Sequence, residues 1–558
     1  MSYPFSATDE STTSEHFLSQ LAKNYPKSLD KQTLFRLALN DPRIARLHLH
    51  ADTWTEGADS AIANSKALQH LGFSIYDSDD DKVDWLKKMC NGLARNRSVE
   101  ELRVVSDGCE IDLDIFKILT PFIEYNRNLR SIDLKGVTSE VLKSLSIRLA
   151  VGKPKQLQCV DLRDIVLEDH ELRLFFYALR EMKNLQELSV FESEDDLYRR
   201  RIISCRELAR LLVQPRSKIR KLLFGIQRLT DNNFTFLSNA VIRNNSLCEL
   251  HFCGLGEYIT EVGWRNFSRI LSHPMCTLHT LRLDTCLSMF EDEFGGKFSS
   301  PRDILAVNKS LEYLDIRSEP TRSLETLEYY QSRSLDIERE EAMICLGNAL
   351  AINKTLRYLD LESSSCLSLT AWRNFSKCLR SPHSSIEFLN LRYCNLDDYA
   401  AITLAMALIG NSRLKTMLLS GNDDITNATW DVFSQVLCRK RCIDSTYSSN
   451  HTLQEVGVFH YADADDSDIT SLLSMNVNKD KAEVARQKIM KQHFPVVVTE
   501  EVDMLVFARM PEIVEWIGRT DSGLSLMYNV ARDLPTLFDT RRRRNSKLHH
   551  AGVKKRKR

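Results

Sequence analysis

Along most of the chain the apolar residues fall into triplets spaced L-x-x-L-x-L. Leu311, Leu314 and Ile316 form one, Leu356, Leu359 and Leu361 another, and Ile386, Leu389 and Leu391 a third. The same spacing starts at Ile44, Leu68, Val99, Leu129, Leu157, Leu185, Ile219, Leu247, Leu278, Leu414 and Leu453, fourteen places in all. The closing L-x-L alternates with period two, which predicts a short strand with its apolar side chains on one side. Between triplets the period changes. In "TAWRNFSKCLRS", Trp372, Phe375 and Leu379 stand at i, i+3 and i+7, the single apolar stripe of a helix. Trp264, Phe267 and Leu271 repeat that stripe, and so do Trp430, Phe433 and Leu437. The Trp and Phe of the twice-spelled "WRNFS" are therefore expected as helix-side core residues pressed onto a leucine strand.

The commonest step between triplets is 28 residues, with 30 and 31 recurring and longer gaps that look like insertions. One strand and one helix cannot bury both faces alone; stacked copies can. An L-x-x-L-x-L triplet at a period near 28 resembles the leucine-rich repeat, specifically its long ribonuclease-inhibitor-like class. The resemblance covers residues 41–478 and implies an α/β fold: a leucine-rich-repeat solenoid, or horseshoe, with a parallel concave sheet, convex helices and helical caps. Residues 1–40 are expected as a polar lead and N-terminal helical cap, and 479–540 as a C-terminal helical cap. That last segment is similar to the ending of uncharacterised leucine-rich-repeat proteins from microalgae, which implies no activity. Residues 317–342 and 438–450 lengthen two repeats and are candidate contact loops.

Composition changes the picture little. With 43% hydrophobic and 27% charged residues, the chain has the balance of a soluble globular protein. No apolar run approaches the roughly 18 residues of a membrane helix. The first residues show no export signal, so the 14 cysteines are expected as reduced thiols in a nuclear or cytoplasmic protein. The net charge of −1 hides an asymmetry. Residues 541–558 carry ten Lys and Arg and no acid, whereas the body before them is acidic. This segment is expected as a disordered basic tail. Arg541, Arg542, Arg543 and Arg544, then Lys554, Lys555, Arg556, Lys557 and Arg558, resemble a bipartite nuclear import signal, implying an import receptor. Such a tail also binds phosphates weakly and without sequence preference.

Nothing in the sequence points to catalysis, to a cofactor or to a metal. Cys438 and Cys442 with His451 lack a second ligand pair, and His48 and His50 flank Leu49 without a third ligand. The acidic runs at 77–81 and 463–466 lack calcium-loop spacing. Asn96, Asn308, Asn353 and Asn450 each stand three residues before a triplet. They match the glycosylation pattern, but asparagine also suits the left-handed turn that ends a helix, and that capping role is the expectation.

On a concave sheet, the residues flanking each central leucine should face outward. In consecutive repeats these are Arg282 and Asp284, Tyr313 and Asp315, Tyr358 and Asp360, then Phe388 and Asn390, with Arg317 and Arg392 two positions beyond. Aromatics beside Arg and Asp have the composition of protein-binding hot spots. The leading expectation is a non-catalytic scaffold binding a protein or peptide partner on this surface. Two alternatives stay open: a GTPase-regulating protein of the Ran GTPase-activating type, and a nucleic-acid-associated protein acting through the tail.

Overall fold

The computed structural model describes residues 31–493 with interruptions, the longest at 50–56, 77–86, 194–203, 254–260, 284–304, 317–342 and 458–466. The chain divides into two compact units, with the boundary between Ser363 and Ser364.

Among the described residues the first unit has eleven strands, all parallel and paired in chain order. They are β1 (Arg46–Leu49), β2 (His70–Tyr76), β3 (Glu101–Asp107), β4 (Ser131–Lys135), β5 (Cys159–Ile165) and β6 (Glu187–Glu192). Then follow β7 (Lys221–Gly225), β8 (Glu249–Cys253), β9 (Thr280–Leu283), β10 (Tyr313–Asp315) and β11 (Tyr358–Asp360). Parallel neighbours require a crossover, and helices such as Leu113–Tyr125, Ser139–Gly152 and Asp231–Arg243 supply it. The central triplet residues align across the sheet: Leu250 pairs with Leu281, Leu281 with Leu314, and Leu314 with Leu359. All three residues of every triplet from Ile44 to Leu361 are buried, Leu68, Leu71 and Phe73 included.

The helix-side residues close on this leucine wall. Phe234 and Phe267 lie on successive helices, stacked at 4.9 Å, and both meet Phe252 of β8 edge-on. Phe267 and Leu271 are fully buried, as their stripe requires. The polar side chains at the helix starts are used locally. Asp112 and Thr230 accept hydrogen bonds from the first backbone N–H groups of their helices.

The second unit repeats the plan with β12 (Phe388–Asn390), β13 (Thr416–Leu418) and β14 (Glu455–Val456), again parallel. Trp372, Phe375 and Leu379 are buried on helix Leu369–Arg380, and Phe433 and Leu437 on helix Asn427–Leu437. The insertion at 438–450 contains a short helix, Ile443–Tyr447. Helices Ser467–Met475 and Lys481–His493 follow.

The asparagines do more than end a helix, and they do it differently from the expectation. Asn244, at the end of helix Asp231–Arg243, has φ −84° and ψ 127°, an extended backbone and not a left-handed one. Its side chain makes the connection. Nδ2 donates to the Leu212 carbonyl of the preceding repeat at 2.8 Å, while Oδ1 accepts from Ser246 N and Leu247 N. Asn96, Asn308 and Asn353 do the same in the first unit, and Asn411 and Asn450 in the second. Each buried amide thus ties one repeat to the next and orders the turn into the following strand.

The residue runs 77–81, 463–466 and 317–342, together with His50, lie outside the described residues, as does 541–558.

Candidate binding surface

The strand side of the first unit carries the residues that alternate with the leucines. Near β9 to β11 they form one ordered group. Tyr313 and Tyr358 are register partners, and their rings stack with centroids 4.2 Å apart and planes 13° from parallel. The Arg282 guanidinium sits over the Tyr313 ring, 5.2 Å from its centroid. Its Nε lies 3.9 Å from an oxygen of Asp315, the residue paired with it across β9 and β10. The three long side chains are half-buried, so each presents part of its surface.

Asp315 and Asp360 are placed otherwise than expected. They flank the central leucines, yet they are 1% and 0% exposed. Long neighbours on the same strand side shield the shorter carboxylates. Asp360 turns to local work: Oδ1 accepts a hydrogen bond from Glu362 N at 3.1 Å, ordering the chain after β11. Burial, together with the neighbouring Tyr313 hydroxyl and Asp360, pushes the Tyr358 hydroxyl well above its ordinary pKa, so it stays protonated. Asp284 and Arg317 lie outside the described residues.

In the second unit, Phe388 and Arg392 are half-buried and Asn390 is buried. Asn390 accepts from Arg392 N at 3.1 Å, matching the part Asp360 plays in its own unit. The side chain that stands out is Tyr393. It is 54% exposed and sits at φ 55°, a left-handed conformation unusual for a bulky residue. Its ring lies where a side chain at Gly421 would be: an added Cβ there would fall 2.3 Å from Tyr393 Cδ1. Gly421 itself has φ 74°. Nothing in the L-x-x-L-x-L pattern distinguishes Tyr393. The one available sign was an aromatic directly after the flanking Arg392.

A second group also escaped the sequence reading. Arg103, Asp133 and Asp161 are register partners on β3, β4 and β5, with Arg103 Nε 3.1 Å from Asp133. Burial first, then the Asp161 charge, pushes the Asp133 carboxyl up to about 6 against the opposing pull of Arg103 and Arg163. These residues belong to different repeats, and only the register brings them together.

Cys438 is buried and Cys442 exposed, and His451 Nε2 bonds the Tyr447 carbonyl oxygen. Among the described residues no three His, Cys, Asp or Glu groups converge to hold a metal ion, and no helix is long and apolar enough to cross a membrane.

Parallel strands in chain order, carrying leucine triplets whose described members are buried and most joined by a helix, make this a leucine-rich-repeat-like protein. No protein-family model matches the chain. It is 28% identical over 336 residues to human NACHT, LRR and PYD domains-containing protein 14, a match covering 57% of this chain and 28% of that protein. It is 28% identical over 222 residues to human NACHT, LRR and PYD domains-containing protein 5, covering 38% of this chain and 18% of that one. The chain thus spans well under a third of the length of these relatives. Among solved structures, that of the yeast Rad7 and Elc1 complex covers 75% of this chain and 95% of its own, at 14% identity and a TM-score of 0.39.

Proposed function

We propose that the chain is a non-catalytic scaffold that takes a protein or peptide partner on the strand side of its first unit. The observation that carries this reading is the ordered array of Arg282 over Tyr313 stacked on Tyr358. Binding hot spots are rich in Tyr and Arg because such side chains bring a large contact area at little cost in rotamer freedom. Here the rings already constrain one another, so less order remains to be imposed when a partner arrives. Buried Asp315 lies beside the Arg282 guanidinium, and the reading extends to Asp360, Asp284 and Arg317 on the sequence pattern alone. Phe388, Asn390 and Arg392 offer a related but separate set on the second unit.

The period near 28 and the helical crossovers support membership of the ribonuclease-inhibitor-like class. Lys488 supports a capping role for the segment that begins at 479. Its buried Nζ donates to the Leu437 carbonyl at 2.7 Å and the Asn450 carbonyl at 2.9 Å, locking helix Lys481–His493 onto the preceding repeat. The clusters Arg541–Arg544 and Lys554–Arg558 support nuclear import. A fluorescent fusion lacking 541–558 should then lose nuclear accumulation, and an unchanged distribution would refute it.

The scaffold reading is tested by capture from cell extract with immobilised full-length protein. Tyr313→Ala with Tyr358→Ala should abolish capture of the partners that wild type retains, with the melting temperature little changed. Full capture by the folded double variant would defeat the reading.

A further inference from the structure

We propose that Cys253 and His251 form a nucleophilic thiol–imidazole pair, a modification site that takes hydroperoxides. The two residues stand at alternate positions of β8, on the side opposite buried Leu250 and Phe252. Cys253 Sγ lies 3.1 Å from His251 Nε2. In the tautomer with its proton on Nδ1, Nε2 accepts the thiol proton.

The surroundings hold the imidazole against the sulfur. His251 is 8% exposed, and the Phe191 ring meets it edge-on at 6.2 Å. Phe191 can lean across because Gly225 separates it from Cys253 on the intervening strand. A Cβ at Gly225 would stand 2.5 Å from Phe191 Cδ1 and 3.3 Å from Cys253 Cβ. Cys253 itself is half-buried.

The neighbouring strands set what faces the pair. Arg282 of β9 is the register partner of His251. On the other flank β7 offers Leu223 and Gly225, which carry no charge. Glu249, two residues earlier on β8, faces Lys221 of β7 at 3.6 Å. A thiolate beside an imidazolium is a recognised route to a reactive cysteine. Other thiols of the chain are placed in the opposite way: burial pushes Cys159 up to about 12, and raises Cys205 and Cys378 further.

The step balances without a further reagent. His251 Nε2 takes the thiol proton, and the sulfur attacks one oxygen of the hydroperoxide. The S–O bond forms as the O–O bond breaks. The leaving oxygen then takes the proton from the imidazolium. Sulfur is oxidised to a sulfenic acid, and the peroxide is reduced to water or an alcohol.

The test uses the reduced full-length protein, pulsed with iodoacetamide across pH and mapped by mass spectrometry. A lowered thiol pKa gains thiolate but loses some nucleophilicity, so Cys253 should react roughly threefold faster than half-buried Cys248 and Cys276 at pH 7, and roughly fivefold faster at pH 6. His251→Gln removes the base, and should bring the Cys253 rate down to theirs and move its own pH midpoint upward. Unlabelled Cys205 and Cys378 in the same digest report that the variant is folded; if they label, the wild-type profile alone decides. With hydrogen peroxide and dimedone, wild type should form the sulfenic adduct at Cys253. A Cys253 rate no faster than those of Cys248 and Cys276, with a midpoint near the ordinary value of about 8.5, would overturn the proposal. So would a folded His251→Gln variant with an unchanged profile.

Discussion

The side-chain amide of Asn353 donates to the backbone carbonyl of Leu305 at 2.6 Å, although the two residues are 48 positions apart in the chain. The same side chain accepts from Thr355 N and Leu356 N, and it is 2% exposed. One amide therefore joins the end of one repeat to the turn that opens the next strand. Asn353→Ala strips three backbone groups of their partner at once, two of them in buried bonds. Unfolding should cost about 2–4 kcal/mol less than in wild type, since a buried group left unsatisfied loses about 1–3 kcal/mol. Chemical denaturation of the two proteins side by side measures it, and a difference under about 0.5 kcal/mol would mean that water replaces the amide.

Leu359 stands at the centre of β11, fully buried, paired with Leu314 on β10. Leu359→Asp would set a carboxylate between strand and helix with no cation beside it. A loss of several kcal/mol is expected. A melting temperature equal to that of wild type would contradict the register from which the sheet is built.

Tyr393 occupies a left-handed backbone that an L-residue with a side chain adopts at a cost of roughly 1–2 kcal/mol. Tyr393→Gly removes that strain and loses some chain entropy and ring packing, so a net gain of about 0.5–1 kcal/mol is expected. Thermal melting decides it. A less stable variant would show that the ring over Gly421 outweighs the strain.

How much of this could be read in advance differs from residue to residue. The leucine triplets and the Trp/Phe stripes were legible because burial repeats at a fixed spacing; the described members are buried except Trp430, which is half-buried. Two things were not legible. Asp315 and Asp360 alternate correctly with the leucines, but whether a flanking residue meets water depends on the size of its neighbours across the strands, and those come from other repeats. The Arg103–Asp133 pair and Cys253 against His251 beneath Phe191 depend likewise on register between segments distant in sequence. The asparagines were noticed for their spacing, but their reach into the preceding repeat is a tertiary fact that no local pattern records. Asn411 plays the same part although the residues after it do not complete the glycosylation pattern.

Acidification should weaken the second unit in two steps. Burial lowers Lys488 from 10.5 to about 7, opposed by its Cys438 neighbour. Burial also lowers His451 from 6.5 to about 4. In both windows the unfolded chain binds more protons than the folded one, so stability rises with pH. It should therefore fall as pH drops from about 10 to about 7 through Lys488, and fall again from about 6.5 to about 4 through His451. Denaturation midpoints taken across pH should show both slopes. Lys488→Met should remove the alkaline one and leave the acidic one, and a variant with both slopes intact would contradict the assignment.

Site-specific photo-crosslinking tests the central claim most directly. A photoreactive phenylalanine analogue is placed at Tyr313 on the strand side of the first unit, or at Tyr177, which is 61% exposed on helix Asp169–Leu179. After incubation with the captured partner, the account predicts a covalent product from position 313 and none from 177. Crosslinking from 177 with none from 313 would place the partner on the helices and contradict it.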